Sequence, residues 1–75
     1  MAEDRTREIE RMIEVVVRSI PKEREARDLY RATARSSTMD MTRLLFEKLA
    51  GDEERHEAKL EAVLEILREE MRKQR

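Results

Sequence analysis

Residues 45–67 read LFEKLAGDEERHEAKLEAVLEIL, and the spacing of their apolar residues decides the fold. Leu45/Phe46, Leu49, Leu60, Val63/Leu64 and Leu67 recur every three or four residues, so they form one stripe along an α-helix. Glu53 and His56 fall on the same stripe, where Leu or Ile would be expected. Met71 extends it, and the terminal Met71-Arg72-Lys73-Gln74-Arg75 is basic, as the negative end of a helix dipole prefers. This predicts a helix over about 41–73. Gly51 interrupts it at a cost of about 1 kcal/mol relative to Ala. Close backbone packing, a local distortion near Glu53, or drift at an exposed site would each account for it.

Upstream, Ile9, Met12, Ile13, Val16, Ile20, Glu23, Ala26, Tyr30 and Thr33/Ala34 keep the same step. They predict a first helix over about 4–36, with Glu3 and Asp4 at its positive end. Pro21 lies inside this stripe and lacks the N–H for one backbone bond, so the helix kinks or breaks there. The unbroken phase of the stripe favours a kink. Ser36-Ser37-Thr38 is the one cluster of cap- and turn-type residues, which places a turn at about 37–40. Ser37 with Asp40 can form a capping box, and Thr38 is an equal candidate for the cap. On the outward faces, Glu14–Arg18, Arg24–Asp28, Lys48–Asp52 and Glu69–Lys73 are spaced for i,i+4 ion pairs.

The fold class is therefore all-α: an antiparallel helical hairpin forming a single half-domain over residues 1–75. Two helices cannot enclose a core, and each arm leaves much of its stripe wet. A C2 homodimer, closing a four-helix bundle, is the simplest remedy, with a higher homo-oligomer as an extension of it.

Composition removes several functions. Seventeen Lys+Arg against 18 Asp+Glu give a net charge of −1, unlike the lopsided basic surface of a nucleic-acid or anionic-membrane binder. Tyr30 and Phe46 are the only aromatics, too few for base stacking. Without cysteine there is no disulfide, thiolate metal site or cysteine nucleophile. No apolar run follows the charged N-terminus, so no signal peptide is expected, and Val15-Val16-Val17 is far too short to span a bilayer. A cytoplasmic setting is the expectation.

Glu23, Glu53 and His56 carry the chemistry. A carboxylate buried without a partner costs several kcal/mol, and no lysine on the second stripe offsets it. A metal site does. Glu53 and His56, at i and i+3, leave one helix face about 5–6 Å apart at Cβ. Two helices each presenting Glu-x-x-His, and two each presenting one Glu, make up the ligand set of carboxylate-bridged di-iron and di-manganese bundles. One chain supplies half of it, and a dimer supplies four carboxylates and two imidazoles. Oxygen and imidazole donors suit iron or manganese, and admit zinc. Glu-x-x-His alone is weak: glutamate fills 14 of 75 positions, so a lone histidine finds one three residues upstream about one time in five.

The wider pattern is more specific. Glu23-x-x-Ala26-Arg27-x-x-Tyr30, then Leu45-Phe46-x-x-Leu49-Ala50-x-x-Glu53-x-x-His56, closely resembles one half of the rubrerythrin branch of the ferritin-like superfamily, over about Ile20 to Leu60. The resemblance implies that Glu23 bridges or caps the metals, that Glu53 bridges them, and that His56 is the imidazole ligand. It implies that Tyr30 lies near the site and hydrogen-bonds a ligand carboxylate. It implies two iron ions per dimer, with Fe(II) and O2 or peroxide as reactants, and ligand carboxylates that shift as charge on the metals rises. The sequence departs from the family in carrying one half where rubrerythrin-like chains carry two in tandem, which puts the site between subunits or removes it. It also lacks the rubredoxin-type cysteines that feed electrons to iron in full rubrerythrins. Two-helix relatives such as the encapsulated ferritins, whose ferroxidase centre lies at a dimer interface, are the nearer analogue. They suggest an encapsulin compartment as an alternative setting, although no targeting tail is expected after Met71.

Plainer readings stand beside these. A lone helix-interface histidine is by default a satisfied structural residue, and Arg27, one turn after Glu23, can neutralise it as an ion pair. Glu25 is an alternative ligand but falls off the stripe. Tyr30 reads more simply as a core residue with a wet hydroxyl than as a redox participant, and Met12 and Met71 as gap-filling core. The favoured function is ferroxidase or iron-storage chemistry at an intersubunit site. The alternatives are rubrerythrin-like peroxide scavenging and a metal-free oligomerisation module in which Glu and His specify register.

Overall fold

The computed structural model describes residues 2–74, with side chains from Asp4 to Gln74. The expected dipole partners Glu3 and Arg75 lie outside the described side chains. Two helices of 35 residues each, α1 (Ala2–Ser36) and α2 (Asp40–Gln74), run antiparallel as a rod 57 × 14 × 13 Å. No strand occurs among the described residues, and no helix is long and apolar enough to cross a membrane.

The alternative of a break at Pro21 is overturned, since α1 continues through it as one helix. The carbonyl that loses its donor belongs to Val17, one turn back. Val17 is 48% exposed, so water reaches that side of the helix. The capping expectation is also corrected. Met39, not Ser37 or Thr38, holds the cap position: its carbonyl accepts the Arg43 N–H at 2.9 Å, the first bond of α2. The Ser37 N–H closes α1 on the Ala34 carbonyl at 3.2 Å, and its hydroxyl accepts the Met39 N–H at 3.2 Å. The serine thus shapes the turn instead of capping the helix. Asp40 sits in the first turn of α2 and pairs with Arg43 at 2.7 Å.

Of the four expected i,i+4 pairs only Glu14–Arg18 forms, at 2.6 Å. Asp28 pairs with Arg27, Asp52 with Arg55, Glu69 with Arg72 and Lys73 with Glu70, while Arg24 reaches across to α2. Surface pairs are each worth so little that i,i+3 and cross-hairpin partners compete on equal terms.

The core is short. Ile9, Val16 and Ile20 of α1 meet Leu64 and Leu67 of α2, with Ile13, Leu60 and Met71 packed against them. Towards the turn, Ala34 and Ala50 are almost completely buried. Glu23, Glu53 and His56 fall between these two zones. Met12, Leu45, Leu49 and Val63 of the stripes, with Val15 and Ile66 beside them, remain 41% to 63% exposed, so part of the apolar face is open.

Candidate metal centre

Helix geometry aims the three residues. On α2, Glu53 and His56 differ by three positions and share a face, while α1 brings Glu23 in from the opposite side of the seam. His56 Nδ1 lies 3.4 Å from Glu23 Oε2 and 3.7 Å from Glu53 Oε2. One donor atom from each residue falls within 4.8 Å of both others. The carboxylates are partly buried, with side chains 26% exposed for Glu23 and 18% for Glu53, while the imidazole is 54% exposed. Glu23 and His56 therefore open to one face of the hairpin, in a groove they line with Ser19, Lys59, Leu60 and Val63. Val63 also lines the adjoining groove with Met12 and Val15. Leu49 lies two turns before His56 on α2, so the triad sits within the exposed apolar face.

These residues fit a cation. Glu23 Oε2 is buried and accepts no hydrogen bond, although His56 Nδ1 is near. A buried carboxylate oxygen with no donor is costly unless a cation meets it. Two carboxylates and an imidazole, with no thiolate, make a donor set for iron, manganese or zinc. The ion-pair alternative for Glu23 is not realised, because Arg27 is engaged elsewhere. Glu25 is exposed, as its place off the stripe implied.

Beside the triad stands a group that sequence reasoning missed. Glu57 is only 14% exposed and carries one guanidinium on each oxygen. Arg24 Nε donates to its Oε2 at 2.7 Å, and Arg27 Nη1 donates to its Oε1 at 3.0 Å. Arg24 Nη2 also reaches Glu61 Oε1 at 3.3 Å. The hydrogen bond from Arg24 holds the Glu57 carboxyl below its ordinary range, and the same bond raises Arg24. The available signal was Glu57 one turn after Glu53, on the core-facing side of α2. Its partners, however, lie 30 and 33 residues away.

The ring of Tyr30 packs on Phe46, with centroids 6.1 Å apart and planes tilted by 38°. Its hydroxyl makes no hydrogen bond among the described residues, so the carboxylate contact implied for it is not formed in the single hairpin. Gly51 is helical, and a Cβ built there meets only Arg55 Nη1, at 3.8 Å, so the hairpin itself does not require glycine. A family model described as rubrerythrin matches residues 14–75, which takes in all three members of the triad. No curated protein and no solved structure matches the chain.

Proposed function

The chain belongs to the rubrerythrin family, and from that premise we propose that two copies face each other to hold a pair of iron ions and oxidise Fe(II). The single observation that carries this reading is the convergence of Glu23, Glu53 and His56 around a buried oxygen with no hydrogen-bond donor. Three donors on an open face are half of a two-metal ligand set. The exposed apolar residues around them favour a second copy as the cover, since contiguous exposed apolar residues mark association surfaces.

In this reading Glu23 and Glu53 would hold and neutralise the cations, and His56 would supply an imidazole nitrogen at the rim. Partial burial of the two carboxylates strengthens their charge interactions with a cation in the seam. When bound, the ferrous ions supply one electron each to O2 or peroxide. Met12, Val15, Leu49 and Val63, covered by the second copy, keep bulk water from the seam.

Anaerobic titration with Fe(II), followed by admission of O2, tests the proposal. Two ions bound per pair of chains and O2 uptake in proportion are expected, both abolished in E53A/H56A. Iron oxidation no faster than in buffer overturns the ferroxidase reading, and failure to bind any divalent metal overturns the site.

A further inference from the structure

Glu57 is more buried than either carboxylate of the triad: its side chain is 14% exposed, against 18% for Glu53 and 26% for Glu23. It follows His56 directly and lies one helical turn beyond Glu53. Residues at i and i+4 stand about 5–6 Å apart at Cβ, so a free carboxylate here would be a third hard-oxygen donor, and a fourth donor in all, within reach of the same cation. It is not free. Arg24 and Arg27 each take one of its oxygens, at 2.7 and 3.0 Å. Such charge-assisted bonds are short and strong, and a guanidinium does not release its proton.

The allocation is selective. Arg27 stands one turn after Glu23 on α1, where an i,i+4 pair would have neutralised that carboxylate. It turns instead to Glu57, and Glu23 Oε2 stays bare. The two sets also open to different sides of the hairpin. Glu23 and His56 line one groove; Arg24 and Glu61 line another, with Val17, Pro21 and Leu64.

We propose that Arg24 and Arg27 are positioning residues that draw Glu57 to the far side of the seam and so limit each chain to three metal donors. The inference rests on the metal reading above and deepens it. Two chains then offer six donors to two cations, which leaves coordination positions open for a reacting oxygen species. Were Glu57 released, a change of rotamer would bring two more carboxylates per pair of chains into the set and occupy those positions.

Co(II), whose visible absorption reports coordination number, is the probe. Wild-type protein and E57Q are expected to give the same spectrum and affinities within twofold, because the clamped carboxylate is not a ligand. R24Q/R27Q is expected to shift affinity by about tenfold or more and to weaken the absorption as coordination rises. R24Q/R27Q/E57Q is expected to return to the wild-type spectrum, a rescue that a purely structural role for the arginines does not predict. R27Q alone, which frees one oxygen and keeps Arg24 in place, moves the spectrum in the same direction by less. A wild-type spectrum in both arginine variants, or an altered spectrum in E57Q, overturns the inference while leaving the metal site standing. No Co(II) binding by wild-type protein overturns the metal reading itself, and this inference with it.

Discussion

His56 Nδ1 on α2 lies 3.4 Å from Glu23 Oε2 on α1, and that oxygen accepts no hydrogen bond. The relationship joins two arms across the seam at the point where the hydrophobic core stops. Above it Ile20 packs with Leu64, and below it Ala34 and Ala50 are almost fully buried. Polar groups placed there weaken the hairpin unless a cation compensates them.

Metal should stabilise the protein. At 100 times its dissociation constant, a ligand that binds only the folded state adds about 2.7 kcal/mol. Melting temperature is expected to rise with Fe(II) or Mn(II), to fall again with chelator, and to be insensitive to both in E53A/H56A. A melt unmoved by chelation, together with a more stable double variant, would favour a metal-free structural role for the three residues.

Acid should act through Glu57. Its folded-state pKa is depressed below the ordinary 4.5 by the Arg24 hydrogen bond. A depressed carboxylate stabilises the fold fully above its unfolded value and ceases to do so as pH falls through the lower folded value. Metal-free wild-type protein should therefore lose stability below about pH 4.5 more steeply than E57Q. Urea midpoints measured between pH 3 and 6 provide the check, and parallel profiles would rule the pair out as the cause.

Two substitutions should strengthen the helices. G51A adds helix propensity of about 1 kcal/mol, since its Cβ meets only the flexible Arg55 side chain at 3.8 Å. P21A restores an N–H to the Val17 carbonyl inside α1 and should gain about 1–3 kcal/mol. Chemical denaturation measures both. A destabilised G51A would mean that another chain approaches the backbone at that point.

Self-association should depend on the face that carries the triad. L49D or V63D places an unpaired charge in it, and sedimentation mass is expected to fall to that of one chain. The wild-type melting temperature should rise with protein concentration. Wild-type protein that sediments as one chain at micromolar concentration contradicts the prediction.

Much of this molecule was legible in its order of residues. The three- and four-residue steps from Ile9 to Ala34 and from Leu45 to Met71 are local properties, and so is the i,i+3 spacing that puts Glu53 beside His56. The scarcity of turn formers placed the one bend within a few residues. Less legible were the details that depend on competition between neighbours of similar energy. Met39 holds the helix cap although Ser37 and Thr38 are better cap formers, and the Ser37 hydroxyl is occupied by the turn. Asp28, Asp52 and Glu69 pair with arginines one or three positions away in place of the i,i+4 partners Arg24, Lys48 and Lys73.

Periodicity by itself determined that there are two helices, which side of each is apolar and that three polar residues interrupt those sides. Only the packed hairpin decided that Arg27 belongs to Glu57 and not to Glu23, because that choice depends on the register of one helix against the other. Register is set by how Ile9, Val16 and Ile20 interlock with Leu64 and Leu67. A helical repeat shows which face is buried, but carries no record of which residue on the other arm it will meet.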